Sequence, residues 1–254
     1  MTTNEIYAVI LSLLAAASAG IVGSFALMKK MTLAGDVISH IALPGLGLAF
    51  LFKINPIIGG AVTLILGTIL IWNLEKETGL ATETTIGVIF AASVALGALI
   101  TPREDLIDAL FGGFAPTSFL GFIMGLGIVA LIIIFLFKFK NKLMISLFSP
   151  ELAAATDINV DRVNLYYLLS FSLTIILGLQ FLGALLVGAL IIVPAAIGRQ
   201  LARNFDMFLI VSSTASVLSV TLGILVSFYL SLSLGPTIIS IAAILFALSL
   251  IRRR

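Results

Sequence analysis

Asp36 and His40 are the residues of this chain whose types and spacing are best suited to ion chemistry. They lie four positions apart in GDVISHIALPG, and His40 is the only histidine among the 254 residues. Side chains at positions i and i+4 share one face of a helix, so both groups can point into the same space. Neutral imidazole binds zinc, iron and manganese, and a carboxylate binds the harder cations. The spacing therefore indicates a site for a metal ion or a proton.

A structural interpretation of the same pair stays open from the residues alone. Asp36 would be the N-cap of a helix, and His40 would be a hydrogen-bonded interior histidine one turn later. Two ligands are too few for a closed metal site. A second copy of the chain, or other polar groups, would have to complete the coordination.

The elements that carry this pair are predicted to be membrane-spanning helices. Hydrophobic residues make up 61% of the chain and charged residues only 10%, and the mean hydropathy is +1.25. Soluble domains carry about a quarter charged residues, whereas a helix needs about 20 apolar residues to cross a bilayer. The sequence predicts an all-α polytopic membrane protein, one domain over residues 1–254, with eight or nine spans at 6–28, 36–52, 55–73, 84–101, 117–137, 164–181, 183–198, 206–230 and 236–251.

The number of spans depends on the pair 164–181 and 183–198, because only Gly183 separates them. Lysine and arginine concentrate in cytoplasmic loops. With nine spans and an external N-terminus, twelve of the 14 basic residues fall on the cytoplasmic side, and only Lys53 and Arg103 fall outside. The sequence therefore predicts an extracytoplasmic N-terminus and a cytoplasmic C-terminus.

Composition and motifs exclude several other classes. The chain has no cysteine, which excludes thiolate metal sites, disulfide frameworks and cysteine catalysis. Its net charge of +2 is distributed over short loops, so no nucleic-acid partner is expected. It has no GxxxxGK[ST] phosphate loop and no HExxH motif, so it is neither an ATPase nor a metalloprotease of that type.

Two loops are predicted to have structure of their own. The external loop 102–116 has a pattern typical of a short amphipathic helix at the membrane interface, either receiving an external partner or closing the outer surface. The cytoplasmic loop 138–163 contains SPELAAATDINVDR, in which Ser149 and Pro150 suit the N-cap and first helical position. Its small residues could fit a groove on another protein; an ordinary capped connector is the alternative.

Four stretches resemble the zinc/manganese/iron ABC-transporter permease family. They are KKMTLAGDVISHIALPGLGLAF (29–50), ETTIGVIFA (83–91), SPELAAATDINVDRVNL (149–165) and FLGALLVGALIIVPAAIGRQLA (181–202). The resemblance covers essentially the whole chain in the family's order. It implies the fold of type II ABC importer permeases and a multi-pass protein of the cell membrane, surrounded by lipid.

The resemblance also implies function. It implies a homodimer with a central path for a divalent metal (zinc, manganese or iron), a cytoplasmic ATPase that uses ATP, and an external metal-binding protein that delivers the ion. Asp36 and His40 would coordinate the metal in transit, and no permanently bound cofactor is expected. The helix at 150–157 would couple to the ATPase through Pro150, Glu151, Ala153, Ala154 and Ala155.

One departure from the family pattern, one observation on the depth of the site and two rival functions accompany this expectation. Asp157 stands where the family commonly has glycine, and aspartate adopts a left-handed backbone less readily. Asp36 also lies only six residues after Lys30, near the cytoplasmic edge. The rivals are a gradient-driven metal transporter or channel, and an intramembrane enzyme that uses the Asp–His pair as a base.

Overall fold

The computed structural model of the protein describes residues 2–31, 33–101, 117–148, 150–156, 158–182 and 184–251. Within these ranges the chain forms helices and short connections, with no strand. The helices, in chain order, are α1 (Thr3–Met28), α2 (Ala34–Ser39), a 3₁₀ turn (His40–Ala42), α3 (Leu43–Phe52), α4 (Pro56–Thr78), α5 (Thr82–Ile100), α6 (Phe119–Phe148), α7 (Pro150–Ala155), α8 (Val160–Leu182), α9 (Ala184–Leu201), α10 (Phe205–Leu230) and α11 (Leu234–Ile251).

Eight helical segments in the described part of the chain are long and apolar enough to cross a membrane. One of them is the composite Ala34–Phe52, which comprises α2, the 3₁₀ turn and α3. Helix α9 has 18 residues, which corresponds to about 27 Å at 1.5 Å per residue, close to the hydrocarbon thickness of about 30 Å. The predicted all-α polytopic fold with eight or nine spans is confirmed.

The composite span is interrupted by a 3₁₀ turn where its sequence removes a hydrogen-bond donor. Pro44 has no backbone N–H, so it cannot donate to the carbonyl of His40 four residues earlier. The N–H of Leu43 donates to that carbonyl instead, which forms the 3₁₀ turn. The span then ends at Lys53, whose φ of 55° is left-handed. The turn places His40 at the junction between two helices.

Small residues allow the central helices to approach closely. Helix α1 packs against α9 and α10, and a Cβ added at Gly23 would lie 2.0 Å from the carbonyl oxygen of Ile191. Helices α3 and α4 cross at Gly45 and Gly59, where a Cβ on either residue would lie 2.1 Å from the other's carbonyl oxygen. Helix packing of this kind is typical inside membranes, where small residues let backbones touch.

Helix α6 continues into the segment that the sequence predicted as loop 138–163. It has 30 residues and ends only at Phe148. Lysines of this extension make two contacts: Lys140 Nζ pairs with Asp206 Oδ1 at 2.6 Å, and Lys142 Nζ lies 5.5 Å from the ring centre of Phe139. The connection before α8 is correspondingly shorter. Residues 102–116, 149 and 157, which carried other predictions, lie outside the described ranges.

Candidate metal site

Asp36 lies inside the first turn of α2 and does not cap it. The helix begins at Ala34, and Leu33 occupies the N-cap position without a side-chain hydrogen bond. Asp36 is therefore the third helical residue, where its charge is favourable toward the positive end of the helix dipole. The interpretation of Asp36 as an N-cap is wrong, because Leu33 already has a helical backbone that places the helix start earlier.

His40 is oriented by the backbone of Asp36. The Nδ1 atom of His40 lies 2.7 Å from the carbonyl oxygen of Asp36. A carbonyl can only accept a hydrogen bond, so Nδ1 carries the hydrogen. In the neutral ring this leaves the lone pair on Nε2. Metal-binding histidines commonly donate their other ring N–H to a backbone carbonyl in this way, which fixes the tautomer and the ring orientation.

The neighbours of the pair are small or aromatic. Ser39 is fully buried, and its Oγ donates to the Asp36 carbonyl at 2.7 Å. The ring of Phe90, on α5, meets the imidazole edge-on, with ring centres 5.5 Å apart and an interplanar angle of 87°. His40 is half-buried as a result. These contacts restrict the imidazole on one side and leave the Asp36 side chain exposed.

Gly188 on α9 fixes the position of Asp36, and sequence reasoning did not select it. A Cβ at Gly188 would lie 2.5 Å from both the Cα and the N of Asp36. A Cβ at Gly35 would in turn lie 3.3 Å from the Cα of Gly188. The first turn of α2 therefore rests directly on α9. The only sequence signal was a glycine within an apolar span, which is common for packing reasons alone.

The Asp36 carboxylate is an exposed anion on a membrane span. Within the described residues it makes no hydrogen bond or ion pair through its side chain, and no group of three or more His, Cys, Asp or Glu residues is positioned to hold a metal. Charged groups in spans face a cavity, a partner or an ion path rather than lipid. One chain thus carries an exposed carboxylate at Asp36 and a half-buried imidazole at His40.

The predicted coupling residues occupy a helix shorter than expected. The backbone from Pro150 to Ala155 is helical, with Glu151, Ala153 and Ala154 within it. Ala153 is fully buried inside the chain, on a short helix that packs against α6 and α8; its role in coupling stays a prediction. Leu152 is 52% exposed, and Ala155 is exposed as well. Leu152 is a surface residue that the alanine pattern did not suggest.

Comparison with known proteins identifies the family. A model of the ABC 3 transport family matches residues 2–253. This chain belongs to that family. ABC 3 membership confirms the resemblance to metal ABC-transporter permeases, and with the apolar spans it makes the chain a multi-pass membrane protein.

Individual ABC 3 relatives match over nearly the whole chain. The high-affinity zinc uptake system membrane protein ZnuB of Haemophilus influenzae is 33% identical over 238 residues, covering 91% of this chain and 90% of ZnuB. The manganese transport system membrane protein MntC of Listeria monocytogenes is 29% identical, covering 89% of this chain and 82% of MntC. The solved structure of PsaBC from Streptococcus pneumoniae in complex with Fab matches with a TM-score of 0.84 and 27% identity, covering 98% of this chain and 91% of that one.

Proposed function

We propose that this chain is the membrane permease subunit of an ATP-driven importer of a divalent first-row metal ion, with Asp36 and His40 on the ion path. The observation that carries the proposal is the His40 ring, whose Nδ1 is engaged by the Asp36 carbonyl and whose Nε2 is left for a metal. The names of the relatives ZnuB and MntC support a zinc or manganese cargo, and imidazole and carboxylate ligands suit both ions.

A homodimer would complete the site. Each chain offers two ligands at its surface, and a second copy related by a two-fold axis would supply two more. Four nitrogen and oxygen ligands satisfy the coordination that zinc prefers. The same arrangement would bury the exposed Asp36 carboxylate between protomers and away from lipid, where a charge is costly. The bound cation would offset the repulsion between the two carboxylates, and this repulsion would return when the cation leaves.

The energy would come from a partner, because the sequence has no phosphate loop of its own. A cytoplasmic ATPase would dock on the exposed part of helix α7 (Pro150–Ala155), and an external metal-binding protein would deliver the ion. The six-residue α7 lies between two long helices, α6 and α8. A movement at the docking surface would therefore act on two spans at once.

The test is metal-dependent ATP hydrolysis by the permease reconstituted in proteoliposomes with its ATPase and its binding protein. We expect hydrolysis to rise when the metal-loaded binding protein is present, and metal to accumulate inside the vesicles. Accumulation without ATP, driven by an imposed ion gradient, would contradict the proposal and indicate a gradient-driven transporter. A matched sample with ADP in place of ATP provides the control.

A further inference from the structure

A second polar cluster lies at the end of the molecule that carries the basic residues. Asn164, in the second turn of α8, accepts a hydrogen bond from Lys29 Nζ through its Oδ1. Its Nδ2 donates to Glu75 Oε2 at 3.0 Å. The other oxygen of Glu75 accepts from Thr82 Oγ1 at 2.7 Å. We name these four residues, Lys29, Glu75, Thr82 and Asn164, the Asn164 network.

The Asn164 network connects four helices, of which α1 and α8 are distant in sequence from the consecutive pair α4 and α5. Lys29 follows the last residue of α1, Glu75 belongs to the last turn of α4, and Thr82 begins α5. A second bond joins two of these helices, since Trp72 Nε1 donates to the Asp161 carbonyl at 2.9 Å. The helices are thus tied by polar bonds through the asparagine side chain.

Hydrogen bonds of the described residues join α7 to the start of α8. The N–H of Ile158 donates to the Ala153 carbonyl at 3.0 Å. The Oδ1 of Asn159 then accepts from the N–H of Arg162 at 2.9 Å, which caps the start of α8. A displacement of α7 would therefore be passed to the first turns of α8, where Asn164 lies.

The connection from Lys29 leads to the proposed metal site. The N–H of Met31 donates to the Ala26 carbonyl at 2.9 Å, and the N–H of Ala34 donates to the Met31 carbonyl at 3.1 Å. Met31 is itself only 2% exposed. Met31 thus links the end of α1 to Ala34 at the start of α2, two residues before Asp36. The Asn164 network therefore contacts both the segment that follows α7 and the segment that precedes the Asp36–His40 pair.

Asparagine is chemically suited to the central position. Its amide offers an acceptor to the ammonium of Lys29 and a donor to the carboxylate of Glu75 at the same time. Burial lowers the pKa of Lys29 to about 8, although the negative charge of Glu75 acts to raise it. The lysine therefore depends on its acceptor, because a desolvated ammonium without a partner is costly.

The network also has room to rearrange. A cavity of about 310 Å³ lies beside it, lined by residues that include Trp72, Glu75, Asp161 and Asn164. Asn164 and Glu75 are half-buried rather than enclosed. Helices that move during transport need a low packing density where they slide against their neighbours.

From these contacts we infer that Asn164 is a positioning residue that couples movement of α7 to the helices holding Asp36 and His40. The inference rests on the proposed ATP-driven function. Coupling through a network requires a direct test. The test uses the complete reconstituted importer and measures metal ions transported per ATP hydrolysed.

The first variant is Asn164→Leu, which keeps a similar volume and removes both hydrogen bonds. We expect assembly with the ATPase and basal hydrolysis to remain, while the metal transported per ATP falls about fivefold to tenfold. Asn73→Leu is the matched control, because Asn73 is an exposed asparagine near the same end of α4 whose side chain, among the described residues, bonds only to Glu77. Its ratio should equal that of the parent. An unchanged ratio in Asn164→Leu would overturn the inference.

A second pair of variants covers the case in which Asn164→Leu does not fold. Asn164→Ser leaves a short hydroxyl that cannot bridge both partners, and it should lower the same ratio. The double variant Glu75→Gln, Asn164→Ser should lose less metal transport per ATP than the two single losses predict together, because both residues act on one connection. Additive effects would overturn the inference. Loss of metal-stimulated hydrolysis in the parent complex would instead overturn the proposed function, so the two failures are distinguishable.

Discussion

His40 Nδ1 donates a hydrogen bond of 2.7 Å to the backbone carbonyl of Asp36. The one imidazole of the protein is thus fixed by the backbone of Asp36, whose side chain is exposed. The hydrogen bond joins residues one helical turn apart, so it forms without a contribution from another helix. It leaves Nε2 and the Asp36 carboxylate available for an ion, and several experiments test what depends on that arrangement.

Gly188→Ala should impair transport without unfolding the protein. The added methyl group would lie 2.5 Å from the Asp36 Cα, so the first turn of α2 must move. Misplacing a ligand by about 1 Å can cost on the order of a hundredfold in rate, and we expect uptake of radioactive zinc or manganese to fall at least tenfold. Gly127→Ala is the control, because nothing lies within 4 Å of a Cβ there. Equal uptake by both variants would show that this contact does not position Asp36.

Two of the three alanines of α7, Ala153 and Ala155, should respond differently to the same substitution. Ala155 is exposed, so Ala155→Arg should leave the permease folded and prevent the ATPase from co-purifying with it. Ala153 is fully buried, so Ala153→Arg should abolish the folded protein itself, since an unpaired buried charge costs several kcal/mol. Gel filtration in detergent and pull-down of the ATPase separate these outcomes. Normal ATPase binding by Ala155→Arg would remove α7 from the docking surface.

Lys29 should give stability a specific pH dependence. Its pKa is about 8 in the folded chain, against 10.5 without burial. Between these values the folded chain binds fewer protons than the unfolded chain, so this group adds stability as pH rises from 8 to 10.5. In thermal unfolding in detergent, the unfolding temperature of the parent should therefore rise relative to that of Lys29→Met as the pH increases over that range. A constant difference between parent and variant would show that the ammonium is not desolvated.

The topology can be checked with single cysteines, because the chain has none. Helix α4 has 23 residues, about 35 Å at 1.5 Å per residue, and separates Ile54 from Glu77. The charge bias predicts that Ile54→Cys reacts with an impermeant maleimide in intact cells, whereas Glu77→Cys reacts only after permeabilisation. The reverse pattern would invert the predicted orientation.

The sequence predicted the features that depend on local chemistry. Apolar segments of sufficient length predicted the spans, and the residues around Asp36 and His40 predicted the family. Their i and i+4 spacing correctly placed both on adjacent helical turns. The helix start was not predictable, because Leu33 has no capping side chain and yet adopts a helical backbone.

Features that depend on distant residues could not be predicted. Lys140, in the extension of α6, pairs with Asp206, which lies 66 positions away. The bond between Lys29 and Asn164 spans 135 positions. The burial of Ala153 depends on how a short helix rests against its neighbours. Each is a tertiary contact that no local sequence pattern announces. The lysines at 138–142 therefore predicted a loop, and the alanines of α7 predicted an exposed surface.

The most direct test of the account is transport by Asp36→Asn in proteoliposomes that contain the complete importer. The substitution keeps the shape of the side chain and an acceptor oxygen, and it removes the negative charge that stabilises a divalent ion in a low-dielectric path. Glu77→Gln, which neutralises an exposed carboxylate at the end of α4, is the matched control. We predict that ATP-driven uptake of zinc or manganese falls at least about tenfold in Asp36→Asn, with normal assembly, and is unchanged in Glu77→Gln. Uptake by Asp36→Asn at the parent rate would contradict a role for Asp36 on the ion path.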